Sequence, residues 1–295
     1  MIDIHFIVNP IAGKGKSLIT ETILKPFFIG SLHRLVIKHS AFKKHATQLT
    51  KDSIAEKADI IVACGGDGTI NEVARCLVGS DIPLGIIPMG SGNGLASNLN
   101  IPKKIRKALE IIKNRYVIKI DVGQINNKPF FSNMGIGFDA SVIKHYESSQ
   151  KRTLYGYIGA CLTSIKDIKK NKELSVSINE TSSFVDPFII MVSNSNEMGY
   201  NLSLTPKASL QDGLLDVLVI SKLNRIKMLC LGVLILFRKV TWLREAKMFQ
   251  ISKLQLSTND ESYFETQIDG EFQKIDNGIL NISICKSALN VLVAV

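Results

Sequence analysis

Ala63-Cys64-Gly65-Gly66-Asp67-Gly68-Thr69-Ile70-Asn71-Glu72-Val73 is the stretch whose reading decides the fold. The apolar run that enters it, Asp59–Cys64, reads as a strand buried in a parallel sheet. Gly65, Gly66 and Gly68 then form a tight turn around Asp67. Thr69 is predicted to open a helix, because Ile70, Val73, Ala74 and Leu77 fall on one face at helical spacing. A strand, a glycine turn and a helix N-terminus together make a place for phosphate. Backbone N–H groups converge there, the helix dipole favours anions, and missing side chains allow close approach. A ligand-free βα turn would use the same glycines, but it has no need of the carboxylate of Asp67 or the hydroxyl of Thr69.

Working outward, Ile2–Val8 reads as a strand broken by Asn9-Pro10. The loop Ala12-Gly13-Lys14-Gly15-Lys16-Ser17 imitates a Walker A motif, but Pro10 stands where that pattern needs glycine. A helical stretch is expected over 18–27, a strand over 32–39, and a helix from Lys43 after Ser40. Downstream, Pro83–Pro88 is a short buried strand, Met89-Gly90-Ser91-Gly92-Asn93-Gly94 a third small-residue loop, and Lys104–Lys113 a helix. Such strand–helix alternation predicts an open, mostly parallel α/β sheet with its loops outside the carboxyl ends of the strands.

Beyond Asp121 the texture changes. Short runs (117–122, 130–133, 174–178, 188–193, 214–220, 253–257, 264–268 and 280–284) alternate with turns such as Asn126-Asn127 and Asp276-Asn277-Gly278. They predict an antiparallel β-sandwich interrupted by helices at 155–170 and 225–240. The expected domains are 1–121, α/β, and 122–287, sandwich. Residues 288–295 either add a sandwich strand or complete the first domain.

The chain has 295 residues, 45% of them hydrophobic and 21% charged, which are globular values. Its formal net charge of +10 suits anionic partners. Aromatic-rich nucleic-acid motifs are absent, so no nucleic acid is expected. Five scattered cysteines without a CxxC pair fit reduced thiols in a cytosolic protein. The N-terminus alternates like a strand rather than a leader, and the apolar run Met228–Phe237 is too short to span a bilayer. A cytoplasmic protein is expected, with peripheral contact at the inner membrane face. The stretch 222–247, basic and apolar at once, is either that contact or a core helix with a solvated basic face. A homodimer stays open.

Two chemistries compete for the glycine loops. Gly135-Ile136-Gly137-Phe138-Asp139-Ala140 matches G-x-G-x-x-A, yet no strand ending in an acid follows at ribose-binding distance. Phosphoryl transfer needs a phosphate cradle, a divalent cation and a base. The three loops offer the cradle and Lys14 a cation. Asp67, Asp121, Asp212 and Asp269-Gly270-Glu271 offer carboxylates, although Asp212-Gly213 and Asp269-Gly270 would each also make an ordinary hairpin turn.

Taken in order, Asn9-Pro10-Ile11-Ala12-Gly13, Gly65–Val73, Ile87–Asn93 and Gln267-Ile268-Asp269-Gly270-Glu271 resemble the motifs of the diacylglycerol kinase-like lipid kinases, which include bacterial lipid kinases and sphingosine kinases. The resemblance spans nearly the whole chain. It implies an active site in the cleft between two domains and ATP contacts from the Asn9–Gly13 loop (Asn9, Pro10 and Gly13 among them), Ser40, the Gly65–Asn71 loop (Gly65, Gly66, Asp67, Gly68, Thr69 and Asn71 among them) and Ser91, next to the cationic contact read for Lys14. It implies Glu271 as general base beside Asp269, with Asp67 in a carboxylate–metal network. Mg2+ would be held by the Asp212 carboxylate and the Ser209 and Leu214 carbonyls, and a second Mg2+ would travel with ATP. The acceptor would be a lipid hydroxyl at a membrane surface. Gly94 departs from the aspartate of many bacterial diacylglycerol kinases, and Asp139 stands where sphingosine kinases contact substrate. The acceptor is therefore read as diacylglycerol or a sphingoid or ceramide-like lipid. An NAD kinase, or a silent lipid- or nucleotide-binding protein of the same fold, is the alternative.

Overall fold

Alternating apolar and β-branched residues make Ile2–Val8 the first strand, β1, with its last five residues buried. The computed structural model describes residues 1–13, 19–149, 154–167, 175–178, 182–185, 187–197, 203–258 and 263–295. A short helix, α1 (Glu21–Leu24), leads to β2 (His33–His39), which lies parallel to β1. Helix α2 (His45–Ala55) leads to β3 (Ile60–Gly65), parallel to β1 on its other side. Helix α3 (Asp67–Leu77) leads to β4 (Leu84–Pro88), parallel to β3. Helices α4 (Gly94–Asn98) and α5 (Ile105–Asn114) follow.

The order β2-β1-β3-β4 matters for function. The chain builds outward from β1 in one direction, then reverses at β3. In open α/β sheets that reversal opens a crevice beyond the strand ends, where ligands bind. The expected face of α3 is fully buried at Ile70, Val73, Ala74 and Leu77. Burial of Ile70, Val73 and Leu77 stabilises the unit by roughly 1.5–3 kcal/mol each.

Three local expectations for this half are corrected. Helix α1 is four residues long within the expected span 18–27, of which residue 18 lies outside the described residues, because Pro26 has no N–H to carry the helical ladder past Lys25. Helix α3 opens at Asp67, not Thr69, since an acid in the first turn suits the positive helix end. Helix α4 was not foreseen, its five residues being too few to show a period.

The next strand, β5 (Val117–Ile125), turns through Asn126-Asn127, both at positive φ, into β6 (Lys128–Phe130). Then come β7 (Asn133–Gly137), helices α6 (Phe138–Ser148) and α7 (Leu154–Asp167), and strands β8 (Ser175–Ile178) and β9 (Ser182–Val185). Strands β10 (Ile189–Ser193) and β11 (Leu215–Ile220) precede helix α8 (Arg225–Leu236) and a 3-10 turn at Val240–Trp242. Strands β12 (Ala246–Ile251), β13 (Lys253–Thr258), β14 (Phe264–Ile268), β15 (Glu271–Ile275) and β16 (Ile279–Leu292) complete the chain.

Two units result: Met1–Val122 with Lys286–Val295, and Gly123–Cys285. The first is the mixed α/β unit with the parallel sheet. The second is an antiparallel β-sandwich. Its six-stranded sheet runs β12-β11-β10-β7-β14-β15, and β9-β8-β13 with the first part of β16 forms the other layer. Met134, Ile190, Val217 and Phe264 from the first sheet share one core with Leu254, Leu256 and Leu280 from the second. The other face of the six-stranded sheet is also covered. Ile189, Met191, Leu218 and Ile220 meet Leu231, Val240 and Leu243 there. That double burial explains the apolar runs Ile189–Val192 of β10 and Val217–Ile220 of β11.

Residues 135–140, which match G-x-G-x-x-A in sequence, are the end of β7 and the start of α6, a helix the sequence did not predict. Gly137 makes the strand-to-helix turn at φ +84, where an added Cβ would lie 2.7 Å from the Phe188 carbonyl oxygen. Strands β9, β12 and β15 also went unread, because their short sequences mix polar and apolar residues without a clean alternation. The helix expected over 225–240 is shorter: α8 stops at Leu236, and Arg238 turns away at φ +56. The two terminal runs are one strand, β16, with Ser287 at φ +49 marking where it passes into residues of the first unit. The expected helix residues 168–170 and strand residue 174 lie outside the described residues.

Candidate active site

In the first unit the loops after β1, β3 and β4 are tied together at the switch point. The Asn9 N–H donates to the Cys64 carbonyl (2.9 Å), and the Met89 N–H to the Gly65 carbonyl (2.7 Å). The Asn9 side chain reaches Thr69 Oγ1 at 3.2 Å and also accepts from the Ile11 N–H. Gly66 and Gly90 approach so closely that a Cβ on Gly90 would lie 2.7 Å from Gly66 Cα. Asp67 binds the third loop directly. Its Oδ2 accepts the Asn93 N–H and its Oδ1 the Gly94 N–H, each at 2.7 Å. Position 94 therefore meets Asp67 through its backbone and needs no side chain to do so. The Ser40 N–H donates to the Val8 carbonyl at 2.8 Å, setting that hydroxyl residue beside the end of β1. Asn71 is buried within α3, and Ser91 is exposed in the third loop. Lys14 lies outside the described residues.

In the second unit, Ile268-Asp269-Gly270-Glu271 is a two-residue hairpin turn between β14 and β15, with φ +51 at Asp269 and +77 at Gly270. Asp-Gly with both residues at positive φ is the turn that matches strand twist. The Asp269 carboxylate accepts the N–H groups of Phe131 (3.0 and 3.1 Å) and Ser132 (2.7 Å), so it clips the chain before β7. Glu271, half-buried, opens β15. Asp139 sits in the first turn of α6, 3% exposed, and its Oδ2 has no hydrogen-bond partner. Gly135 opposite it lets that oxygen approach, since a Cβ there would be 2.1 Å away. Burial pushes the Asp139 carboxyl up to about 6, with the Gln267 amide pulling the other way. Its charge in turn adds to the burial that raises Tyr157 and Cys161 of α7.

Asp212 lies in the exposed turn before β11. Its Oδ1 accepts the Leu214 N–H at 3.0 Å, and Ser209 Oγ accepts the Gln211 N–H at 3.2 Å. Gln250 Nε2 bridges Asp212 Oδ2 (3.3 Å) and Asp216 Oδ2 (3.2 Å). Burial first, and the Asp212 charge after it, raises the Asp216 carboxyl. Among the described residues no three His, Cys, Asp or Glu side chains cluster as a metal site. Asp121 accepts the Ser287 N–H at 2.7 Å.

The family model described as the diacylglycerol kinase catalytic domain matches residues 3–125, and the YegS C-terminal NAD kinase beta sandwich-like domain matches residues 132–293. The chain belongs to the diacylglycerol kinase-like family of lipid kinases. A Bacillus subtilis (strain 168) diacylglycerol kinase is 27% identical over 232 residues, 77% of this chain and 76% of its own. A diacylglycerol kinase of Staphylococcus haemolyticus (strain JCSC1435) is 25% identical over 290 residues, 94% of this chain and 85% of its own. An uncharacterized Synechocystis protein is 28% identical over 230 residues, and the match spans only 53% of that relative's length. A diacylglycerol kinase structure from Bacillus anthracis str. Sterne shares the fold at TM-score 0.74 and 23% identity, covering 99% of this chain and 97% of that one.

Sequence reading missed three residues of this lipid kinase's first unit. Glu72 caps α2, its carboxylate accepting the Lys44 N–H (3.0 Å) and the Thr47 N–H (3.3 Å). Asn93, buried at φ +60, holds the third loop by accepting the Gly90 N–H and donating to the Gly90 carbonyl. Lys103 brings an ammonium to the Ser91 carbonyl at 3.1 Å. Glu72 and Asn93 lay inside quoted motifs, and only their partners, remote in sequence, were invisible. Lys103 had no local signal.

Proposed function

We propose that this chain transfers the γ-phosphate of ATP to the hydroxyl of a membrane lipid, diacylglycerol or a sphingoid or ceramide-like molecule. The observation that carries this reading is the meeting of the loops after β1, β3 and β4 at the β1/β3 switch point, beside the N-terminus of α3. Such a surface suits phosphate groups by geometry and by charge. Asp67 occupies the place where an acid would repel phosphate, but both its oxygens are held by backbone amides. Its role is to fix the third loop, and Asn9 with Thr69 fixes the first.

In the second unit Glu271 is the proposed base, taking the lipid hydroxyl proton as the oxygen attacks phosphorus. Its place on a rigid two-residue hairpin, anchored through Asp269, supports that role. The orphaned buried oxygen of Asp139 supports a contact with the lipid head, because a buried polar atom of this kind calls for a partner. The donors around Asp212 are hard oxygens, which fit Mg2+. Asp212 with the Ser209 and Leu214 carbonyls would hold that ion, which would brace the turn before β11. Mg2+ arriving with ATP supplies neutralisation of phosphate charge.

The name of the sandwich family keeps NAD as a second acceptor to be tested. Purified protein with Mg2+ and labelled ATP is offered diacylglycerol, monoacylglycerol, ceramide, sphingosine, phosphatidylglycerol and NAD in separate reactions. Label in a lipid supports the proposal; label in NADP alone replaces it.

A further inference from the structure

No helix among the described residues is long and apolar enough to cross a membrane. Helix α8 has 12 residues and so extends about 18 Å, against the ~30 Å of a bilayer core. Yet α8 is apolar on nearly every side. One side packs on the sandwich through Met228, Leu231, Leu234 and Ile235. The opposite side leaves Ile226, Leu229, Val233, Leu236 and Phe237 more than half exposed, and Trp242 beyond the helix is 70% exposed. Their spacing of three and four residues makes one continuous stripe. An open apolar cavity of about 380 Å³, lined by Leu229, Cys230, Val233 and Leu234, lies on the same helix.

The charges around the stripe choose its partner. From Lys222 to Arg244 there are six cations, Lys222, Arg225, Lys227, Arg238, Lys239 and Arg244, and no carboxylate. Lys227 and Arg238 are paired with Glu245 and Glu197. Lys222, Arg225, Lys239 and Arg244 are exposed. They bracket the apolar stripe at both ends, and Lys239 Nζ stands 3.9 Å from the Trp242 ring centroid. A second protein copy would match the apolar stripe but leave these cations facing one another. An anionic lipid surface matches both features at once, with apolar side chains in the acyl boundary and ammonium and guanidinium groups at the headgroups.

We propose that α8 and the turn after it are the face by which this protein docks on an anionic bilayer. The inference rests on the lipid-kinase reading only for the reason that the protein visits a membrane. Docking and catalysis are separable, because the stripe residues take no part in the phosphate loops or the Glu271 hairpin.

The sequence contains one tryptophan, Trp242, so its fluorescence reports on this face alone. The full chain is titrated, without ATP, with vesicles of phosphatidylcholine alone or mixed with phosphatidylglycerol, and co-sedimentation is measured in parallel. A blue shift and sedimentation with the mixed vesicles are expected. The Leu229→Glu/Val233→Glu variant is expected to lose at least about tenfold in vesicle affinity. Reversal of Arg225, Lys239 and Arg244 to Glu is expected to lose roughly fivefold per cation and the preference for phosphatidylglycerol. Both variants should turn over detergent-dispersed lipid at the wild-type rate. Unchanged fluorescence with mixed vesicles overturns the proposal, as does equal sedimentation of wild type and variants. A lipid-free, concentration-dependent dimer abolished by Leu229→Glu/Val233→Glu overturns it in favour of a second copy. If no lipid is ever phosphorylated, the fluorescence and sedimentation results still decide the docking claim independently.

Discussion

Asp269 and Glu271 stand two residues apart on one hairpin, and their surroundings divide the work between them. The Asp269 carboxylate is committed to the amides of Phe131 and Ser132. Asp269→Asn should therefore lower stability, by about 1.5–3 kcal/mol for each charged hydrogen bond lost, read as a drop in the urea midpoint. Glu271→Gln should leave that midpoint unchanged while turnover falls. At Asp139 the sign follows from burial. Its folded carboxyl titrates near 6, above the unfolded value, so the neutral form favours folding and that stability is lost as pH rises. Unfolding free energy should fall by roughly 2–3 kcal/mol between about pH 4 and pH 6 through this group, and Asp139→Asn should flatten that slope in denaturant titrations at each pH.

At the scale of elements, the long periodic ones were legible: β1, β3, α3 and α5 each bury the face their sequence marks. What escaped were elements set by distant partners. Helix α6 was hidden behind a glycine pattern that looks like a cofactor loop, whereas Gly135 makes room for Asp139 and Gly137 for the Phe188 carbonyl. Strands β12 and β15 carry partly exposed sequences that mix polar and apolar residues, and their pairing with β11 and β14 cannot be read locally. The two turn glycines separate these causes experimentally. Gly137→Ala meets both a positive φ and a backbone oxygen at 2.7 Å, and it should destabilise by more than about 3 kcal/mol. Gly270→Ala, at φ +77 with open space around its Cβ, should cost only about 1–2 kcal/mol. Thermal melts of the two variants compare them directly.

For the whole molecule, a parallel α/β unit followed by an antiparallel sandwich was legible because the hydrophobic period changes near Asp121. The strand order was not, since pairing is non-local, and it is the order β2-β1-β3-β4 that brings three loops scattered in sequence together at one switch point. The lipid was legible only as a class: Gly94 touches Asp67 through its backbone, so its missing side chain does not by itself choose the acceptor. The central claim is that the protein phosphorylates a lipid hydroxyl from ATP with Glu271 as the base. It is tested most directly by following labelled phosphate from ATP into lipid with wild type and Glu271→Gln side by side, while nucleotide binding is measured in both. The expected result is a labelled lipid with wild type, a loss of roughly 10²–10⁴-fold in the variant, and equal ATP affinity. Near-normal transfer by Glu271→Gln, or no labelled lipid with wild type, would contradict it.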